Sequence, residues 1–550
     1  MLPAYALALA LVVTGPLLAP GYLLLRDAVS TPRSHLTDVA LGLSDAAPRA
    51  LPQDFAVALG SHVVDGGVVV KALLVAGLWL AGWGAARLTA AVLPDAGRAG
   101  QAVATTLAIW NPYVAERLLQ GHWSLLVGYG CLPWVAAAVL RRREGAGWWW
   151  PLAFWLALAG LTPTGLMLAA TVALAAACAP GVRSWRVPAV TLALALLVAS
   201  PWLVASAVAG SLPASQAAGV PAFAARAEPG LATLGSLAGL GGIWNAEAVP
   251  ETRATAFAFI ATLVLLTVVA VGLPVVVRRP AAVPLLALAA VAVVVPAAMA
   301  TGPGLVAVEA VVNALPGLGV VRDGQKWVAL AVPGYALAGA GAVILLRRWL
   351  PGAAVAAVCC AALIATLPDL AWGVGGRMTA VSYPDGWRSA AAVIDADPGP
   401  VAVLPPDSMR RFAWAGPAPV LDPLPRWVRA DVLSTGDLVI GGRTVPGEGA
   451  RAREVQDMVL GGATREELAA AGVGWVVVES GSGDLDLPLA FRDDDLTVYR
   501  VGGSAPASPH RALMIAVHLA WLAVLLAGAA GTTVATLRRL RSGATSAPGQ

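Results

Sequence analysis

Five aspartates lie in one predicted loop, residues 26–66, directly after the first long apolar run of the chain. They are Asp27, Asp38, Asp45, Asp54 and Asp65. A carboxylate at the edge of an apolar segment can act as a general base that takes a proton from an attacking hydroxyl group. The alternative interpretation is that these side chains only solvate the loop.

A second polar patch, residues 110–123, reads W-N-P-Y-V-A-E-R-L-L-Q-G-H-W between two apolar runs. The N-P dipeptide that begins at Asn111 predicts a turn. Glu116, Arg117 and His122 are ionisable, and ionisable residues near membrane depth indicate a functional site. In the alternative, Glu116 pairs with Arg117 and the aromatic residues of the patch form an interfacial belt. The sequence favours neither interpretation.

Two cationic residues, Arg322 and Lys326, stand four positions apart where a predicted helix begins. Together with the positive end of the helix dipole, they suit a lipid phosphate or pyrophosphate. Lys71, at the start of the second apolar run, is the other lysine of the chain and a further candidate for this role. For both lysines, the alternative is a side chain that merely extends to the lipid headgroups.

A fourth candidate lies in the loop 209–254, where Trp244 and Asn245 are adjacent. A tryptophan ring can stack on a sugar, and an asparagine amide can form hydrogen bonds with its hydroxyl groups. The alternative is a loop cap that Trp244 packs against the protein.

The elements that hold these residues are predominantly apolar. The 550 residues are 58% hydrophobic and 12% charged, with a mean hydropathy of +0.75. A soluble domain is roughly a quarter charged, so the composition indicates a polytopic membrane protein. The net charge of +4 comes from short arginine clusters, which argues against a nucleic-acid partner. The four cysteines lie in apolar runs and indicate neither a disulfide framework nor a zinc site.

Arginine clusters between the apolar runs predict the orientation of the chain, because short cationic loops stay on the cytoplasmic side. The clusters lie at 141–143, 183–186, 278–279, 347–348 and 538–541. About twelve transmembrane helices are predicted, at 2–25, 67–92, 100–112, 123–140, 148–161, 164–180, 187–208, 255–277, 281–301, 326–346, 351–370 and 512–536. Both termini are then cytoplasmic, and the outer segments are 26–66, 113–122, 209–254, 302–325 and 371–511.

The chain is therefore divided into a transmembrane bundle, 1–370, and a small extracytoplasmic α/β domain, 371–511. A final span, 512–536, and a cytoplasmic tail, 537–550, complete it. Within the α/β domain, strands are predicted at 401–404, 438–440, 475–478 and 496–501, and helices at 453–460 and 466–471. Thr464 and Glu467 form a T-x-x-E capping box at the start of the second of these helices.

The acidic loop after the first span, the patch 110–123 and the segment L-P-G-L-G-V-V-R-D-G-Q-K-W at 315–327 resemble actinobacterial membrane proteins of the C-type glycosyltransferase (GT-C) class. The R-D-G-Q-K-W part also resembles YfhO-type membrane proteins. Y-P-D-G-W at 383–387 and L-D-P at 421–423 look like parts of the domain that precedes the last span in such proteins. The resemblance covers nearly the whole chain.

The resemblance implies a GT-C fold, in which the first outer loop of a helical bundle holds a catalytic carboxylate. It also implies transfer of a sugar from a polyprenyl-phosphate donor to an acceptor outside the membrane. On this basis Asp27 is the first catalytic candidate and Asp38 the second. Arg322 and Lys326 match the region expected near the donor phosphate.

The expected function is a plasma-membrane glycosyltransferase. Its expected partners are a polyprenyl-phosphate-linked sugar, an envelope glycan or lipid acceptor, and membrane lipid. The substrate-binding candidates are Asn111, Glu116, Arg117, His122, Trp244 and Asn245, and the donor-phosphate candidates are Arg322, Lys326 and Lys71. The cofactor is unknown: a divalent cation stays open, but the first outer loop has no adjacent acidic pair and no D-x-D motif as its ligand motif.

Two other classes of function remain open. One is a non-catalytic scaffold of envelope assembly, whose α/β domain binds a partner. The other is a lipid or glycan transporter, which would carry ionisable residues or broken helices near the midplane of several spans. Here the centres of the predicted spans are nearly free of charge, and the charges collect at their ends.

Overall fold

The computed structural model describes residues 1–44, 50–144, 147–182, 184–208, 219–315, 318–440, 442–479 and 484–545. Asp45 of the first outer loop and Arg183 of the second arginine cluster lie outside these ranges.

Helices make up most of the chain before residue 377. They are α1 (Leu2–Thr14), α2 (Gln53–Gly60), α3 (Gly66–Val92), α4 (Gly97–Ile109), α5 (Pro112–Leu119), α6 (Trp123–Leu140), α7 (Trp149–Ala159), α8 (Pro163–Ala177), α9 (Arg186–Val208), α10 (Thr233–Ala238), α11 (Phe257–Val276), α12 (Val283–Met299), α13 (Gly302–Ala314), α14 (Val332–Leu346), α15 (Gly352–Ala365) and α16 (Ala371–Gly376). The remaining helices are α17 (Asp385–Ala396), α18 (Leu424–Trp427), α19 (Ala450–Leu460), α20 (Arg465–Ala470) and α21 (Arg511–Thr545).

Several of these helices can cross a membrane. Among the described residues, six helical segments are long and apolar enough, namely α3, α6, α9, α11, Gly324–Leu346 and α21. The number rises to eight if each of two bent pairs is one span: α12 with α13, bent by 94°, and α15 with Pro368–Gly376, bent by 76°. Other predicted spans, such as α7 and α8, are shorter apolar helices. The protein is thus a helical membrane protein by composition and helix length, and twelve spans stay a prediction.

The first predicted span, 2–25, is wrong in its second half. The helix α1 continues as a 3-10 turn to Leu18, and residues Tyr22–Leu25 form the strand β1 instead. Pro16, Pro20 and Gly21 account for the break, since proline removes a backbone donor and Gly21 takes a φ of +118°. Asp27 therefore follows a strand rather than a helix.

Two predicted outer loops contain helices. The helix α5 lies in the segment 113–122, and α13 lies in the segment 302–325. Each has a proline in its first turn and a capping side chain before it: Asn111 Oδ1 accepts from the backbone of Val114, and Thr301 Oγ1 accepts from that of Gly304. These caps satisfy backbone donors that a helix start leaves open.

Two of the arginine clusters meet at one end of the bundle. Arg279 forms an ion pair with Asp95, and Arg347 donates to the backbone carbonyl of the same residue. Elsewhere Arg142 donates to the carbonyl of Val182 at 3.0 Å, which joins the 141–143 cluster to the segment just before residue 183. The predicted cytoplasmic location of the arginine clusters stays a prediction.

The remaining strands belong to the α/β domain and its contacts. The strands of the whole protein are β1 (Tyr22–Leu25), β2 (Ala28–Val29), β3 (Ala380–Val381), β4 (Val401–Leu404), β5 (Met409–Arg410), β6 (Val420–Leu421), β7 (Val432–Leu433), β8 (Leu438–Ile440), β9 (Arg443–Val445), β10 (Trp475–Val478), β11 (Leu489–Arg492) and β12 (Thr497–Arg500). A five-stranded sheet has the order β11-β12-β10-β4-β7, in which β4 pairs in parallel with β10 and β7, and β12 runs antiparallel.

The strands of this sheet bury both faces. Val401, Val403 and Trp475 pack with α17 on one face, whereas Ala402 and Val476 pack with α19 and α20 on the other. This follows from the two-residue period of a strand. The predicted strands at 401–404, 438–440 and 475–478 are confirmed, and the one at 496–501 is observed as β12. The predicted capping box of α20 is present.

The α/β domain contacts the start of the chain directly. The strand β1 pairs with β2 and β3, and the backbone of Arg26 forms a bridge with Val420 of β6. Asp38 in the segment 26–66 forms an ion pair with Arg511, where α21 begins. The helix α21 then runs to Thr545, past the predicted end of the last span at residue 536.

Candidate functional site

The backbone at Asp27 is held from two sides. Arg26 has a φ of +49°; its amide donates to the Pro419 carbonyl, and its own carbonyl accepts from Leu421, each at 2.8 Å. The amide of Asp27 donates to the Gln120 carbonyl at 3.2 Å. The left-handed conformation at Arg26 turns the chain between β1 and β2, and Asp27 is the second residue of that turn.

Only one of the two carboxylate oxygens of Asp27 contacts other described side chains. Oδ2 accepts from Gln120 Nε2 at 2.9 Å and lies 3.0 Å from His122 Nε2. No described residue donates a hydrogen bond to Oδ1, and the side chain is 39% exposed. Burial favours a raised pKa for Asp27, but the contacts with His122 and Gln120 and the charge of Lys326 outweigh it and lower the pKa. The carboxylate is therefore ionised at neutral pH, with one oxygen open to a ligand.

The turn at Gly121 brings both of these partners to Asp27. Gly121 has a φ of +83°, and a Cβ atom there would lie 2.3 Å from the Ala28 nitrogen and from the Leu25 oxygen. Only glycine fits this close approach between the end of α5 and the β1–β2 turn. Gln120 and His122, on either side of Gly121, consequently reach the same carboxylate oxygen.

The protonation of His122 follows from its neighbours. Its Nδ1 lies 3.2 Å from Arg117 Nη1, and arginine has only donors, so Nδ1 is the acceptor. Nε2 must then carry the hydrogen that it donates to Asp27. Burial lowers the pKa of His122, and the charges of Lys326 and Arg117 act in the same direction against the effect of Asp27. His122 is thus a neutral donor that orients the carboxylate.

Arg117 is held in turn by a buried ion pair. Its Nη1 and Nη2 atoms donate to the two oxygens of Asp323 at 2.8 and 3.1 Å, and Nη2 also donates to Gln325. Arg117 is completely buried, and the Asp323 side chain is 5% exposed. Burial would raise the pKa of Asp323, but Arg117 and Lys326 lower it to about 2. A bidentate pair of this kind fixes the guanidinium group that contacts His122.

Glu116 connects α5 to the loop that carries Trp244 and Asn245. Its two oxygens accept from the backbone amides of Gly242 and Ile243, each at 3.1 Å, and from Gln325 Nε2 at 2.9 Å. Burial, together with the charge of Glu228, raises the pKa of Glu116 to about 8. Glu116 is completely buried, so its role in this geometry is to position the loop.

The loop reaches the site through Asn245 rather than through Trp244. Asn245 Nδ2 donates to Gln120 Oε1 at 2.8 Å, which orients the amide that contacts Asp27. The ring of Trp244 packs on Phe223, with ring centroids 4.7 Å apart. The guanidinium group of Arg322 lies 4.2 Å from the Phe223 ring centroid. Trp244 and Arg322 therefore share a neighbouring aromatic cluster.

Lys326 completes the polar network beside Asp27. Its ammonium group lies 3.7 Å from Asp323 Oδ2, and its side chain is 23% exposed. The side chain of His122 is 18% exposed. Asp27, His122 and Lys326 are thus the solvent-accessible part of a network whose other charged members, Arg117 and Asp323, are buried. An anionic oxygen of Asp27 and the cation of Lys326 are available there to one ligand, whereas both ring nitrogens of His122 already have partners in the protein.

Three candidate residues lie elsewhere. Asn111 is completely buried, caps α5 and donates to the carbonyls of Leu107 and Ala108 and to the Tyr129 hydroxyl. Lys71 donates to the carbonyls of Ala19 and Gly21, each at 2.9 Å. Asp38 binds Arg511 and the backbone of Ser508. These three residues are therefore not part of the candidate site.

The alternative of an interfacial belt for the patch 110–123 is wrong. Glu116 pairs with loop amides rather than with Arg117, and Trp110, Tyr113 and Trp123 are buried within the protein. Sequence reasoning also missed three residues of the network, Gln120, Asp323 and Gln325. All three stand next to ionisable candidates in the patch 110–123 or in the segment 315–327, and their polar character within an apolar chain was the available signal.

The described part of the chain contains no group of three or more His, Cys, Asp or Glu residues that could hold a metal ion. No protein-family model matches the chain, and neither does any curated protein or solved structure. The geometry of the network around Asp27 is therefore the basis for a functional assignment.

Proposed function

We propose that the protein is a membrane glycosyltransferase that moves a sugar from a polyprenyl-phosphate donor to an envelope glycan or lipid acceptor. The observation that carries this proposal is the ionised carboxylate of Asp27, which has one open oxygen and lies near the partly exposed side chain of Lys326. The helical bundle around it would bring a lipid-linked donor to the same place. In this proposal the site and the α/β domain face outwards, and both termini are cytoplasmic.

The proposed reaction is a single displacement. Asp27 Oδ1 takes the proton of the acceptor's hydroxyl group while the hydroxyl oxygen attacks the anomeric carbon of the sugar. The bond between the anomeric carbon and the phosphate oxygen breaks, and the polyprenyl phosphate leaves with the electron pair. The ammonium group of Lys326 stabilises the charge that develops on the phosphate.

The residues behind Asp27 position it for this step. Gln120 and His122 hold Oδ2, so that Oδ1 faces the acceptor. Asn245 and Arg117 orient these two side chains, and the Arg117–Asp323 pair keeps a compensated charge within the protein. Burial of such a network limits its rearrangement during the reaction, which is the condition for electrostatic stabilisation of a transition state.

The direct test is Asp27→Asn, assayed for sugar transfer from radiolabelled polyprenyl-phosphate sugars in membranes. Asparagine keeps an oxygen that accepts from Gln120 and His122 and removes only the basic oxygen. Loss of a general base lowers the rate by about 10²–10⁴-fold, so we expect a fall in kcat of that size with little change in the melting temperature.

The matched control is Asp484→Asn, because the Asp484 side chain is 83% exposed in the α/β domain. It should transfer sugar at the native rate. An unchanged rate in Asp27→Asn would remove Asp27 from the mechanism. Failure of the native protein to transfer from any polyprenyl-phosphate sugar would instead favour the scaffold.

A further inference from the structure

An open cavity of about 550 Å³ lies between the first outer loop and the α/β domain. Its walls come from the residues before and after α2 in the loop, and from α17 and the segment that follows α18. Among its lining residues are Arg33, His62, Arg388 and Arg429. None of these four belongs to the network around Asp27, so the cavity is a separate feature of the molecule.

The carboxylates of the cavity are already used by the protein. Asp65 accepts from the Tyr22 hydroxyl at 2.8 Å and caps α3 through the amides of Gly67 and Val68. Asp395 accepts from the backbone amide of Arg429 at 2.7 Å. Their negative charge is therefore partly satisfied by donors from the chain itself.

Two arginine side chains of the cavity have fewer partners within the protein than its carboxylates have. Arg388 is exposed and forms neither a hydrogen bond nor an ion pair with any described residue. The side chain of Arg429 is 64% exposed, and its guanidinium group lies 3.9 Å from Asp395. Two guanidinium groups thus remain accessible across the cavity from the outer loop. Guanidinium groups of this kind bind phosphate through paired charge-assisted hydrogen bonds.

His62 adds a hydrogen-bond donor on the opposite wall. Arg33 Nη2 donates to His62 Nδ1, and because arginine has no acceptor, the N–H group that His62 offers to a ligand is on Nε2. His62 is exposed, so this N–H group is accessible to a ligand. Arg33 is itself held by the Ser61 carbonyl at 3.0 Å. The cavity therefore offers donors from both walls.

The position of the cavity indicates where such a phosphate would come from. Val63 and Val64, also in its lining, are 87% and 47% exposed. Only the capping residue Asp65 separates them from α3, a helix that is long and apolar enough to cross a membrane. Exposed valines beside the end of such a helix can enter the acyl region of a bilayer, while the arginines stay at headgroup depth.

We propose that this cavity binds the phosphate headgroup of an anionic membrane lipid, with Arg388, Arg429 and His62 as donors and with Val63 and Val64 in contact with the acyl chains. The site is independent of the proposed transfer reaction. It would anchor the α/β domain against the membrane surface through the lipid, because the cavity joins that domain to the first outer loop.

The test uses the full-length protein in detergent, with native mass spectrometry to count bound lipid during titration. The probes are phosphatidylglycerol, a diacylglycerol with the same acyl chains, and inorganic phosphate. We expect the native protein to retain phosphatidylglycerol in preference to diacylglycerol. The double variant Arg388→Gln/Arg429→Gln should bind phosphatidylglycerol at least about tenfold more weakly, since it loses charge-assisted hydrogen bonds.

The control Arg492→Gln removes a cation from the α/β domain outside the cavity and should leave lipid binding unchanged. The variant Val63→Ser/Val64→Ser should weaken phosphatidylglycerol binding through the lost acyl contact. The proposal is overturned if the double arginine variant retains the lipid at native affinity, or if diacylglycerol binds equally well. It is also overturned if inorganic phosphate at millimolar concentration displaces the lipid, which would point to a soluble phosphate ligand.

Discussion

At the scale of single residues, the environment of Asp27 determines what its carboxylate can do. An ordinary surface aspartate would have both oxygens in water. Asp27 instead has one oxygen fixed by Gln120 and His122 and the other free of described donors. His122 is neutral because desolvation and the neighbouring cations lower its pKa, so it donates its Nε2 hydrogen to the ionised carboxylate of Asp27.

This arrangement predicts the acid limb of the pH profile. The folded-state pKa of Asp27 lies below its ordinary value of 3.8, so the carboxylate stays ionised as the pH falls from neutral to that value. His122, with a pKa below 6.5, does not become charged over the upper part of this range. Transfer should therefore lose no activity near pH 6.5, where an ordinary histidine titrates.

Replacing His122 tests its positioning role. His122→Leu removes a donor to Asp27 and should raise the pKa of the carboxylate, so that activity is lost at a higher pH on acidification. His122→Gln keeps a donor and should move the acid limb less. The measurement is the pH dependence of kcat/KM in membranes. Identical acid limbs in all three proteins would contradict the assignment.

At the scale of elements, the site depends on the close approach of the α5–α6 turn to the β1–β2 turn. The N-P start of α5, the buried Arg117–Asp323 pair and Gly121 all fix this approach. The helix α5 is completely buried, although its sequence is more polar than that of its neighbours. Its polar side chains are tolerated there because the described residues around them supply partners.

Gly121→Ala should separate the two turns. The added Cβ would overlap the Ala28 nitrogen and the Leu25 oxygen, and alanine also disfavours a φ of +83°. We expect a fall in kcat of at least about tenfold, because small displacements of catalytic groups have effects of this order or larger. Gly462→Ala is the control, since Gly462 has a φ of +75° but a Cβ added there would meet no atom within 4 Å. If both variants lose activity equally, the close approach is not the cause.

The buried ion pair predicts a stability effect. Asp323→Ala leaves the guanidinium group of Arg117 without its carboxylate in a buried position, and this costs about 3–5 kcal/mol of the free energy of unfolding. We expect a clearly lower melting temperature in detergent. Unfolding is monitored by tryptophan fluorescence. Asp484→Ala breaks an exposed pair with Arg492 and should leave the melting temperature unchanged. Equal melting temperatures for both variants would show that the buried pair does not support the fold.

At the scale of the whole molecule, the α/β domain helps to position the backbone beside Asp27. The segment 419–421 pairs with the backbone of Arg26, one residue before Asp27. A second connection runs from Asp38 to Arg511 at the start of α21. Deleting the domain would therefore disturb Asp27 as well as any acceptor binding. Single substitutions test the role of Asp27 more specifically than a deletion of the domain does.

The predicted orientation can be tested by cysteine labelling in intact cells. In a background in which the exposed Cys178 is replaced by serine, Asp484→Cys should react with a membrane-impermeant maleimide added from outside. Trp349→Cys, at a side chain that is 65% exposed next to the 347–348 cluster, should react only after the cells are opened. The reverse pattern would place the α/β domain in the cytoplasm.

The sequence alone was sufficient for features that depend on neighbouring residues. Hydropathy indicated the six long apolar helices, strand periodicity indicated β4 and β10, and the Thr464–Glu467 spacing predicted the cap of α20. It overextended the first span because a run of apolar residues continues through Tyr22–Leu25, and such a run does not distinguish a helix from a buried strand.

Only the tertiary structure decided which polar residues act together. Asp27, Gln120, Asn245 and Asp323 are separated by roughly a hundred residues at each step, yet one hydrogen-bonded network includes or contacts all of them. The same packing excluded Asp38, Lys71 and Asn111, whose residue types are equally suited to the chemistry. The reason is physical: the type of a side chain is a local property, whereas its partners depend on how distant segments pack and on which buried donors remain to be satisfied.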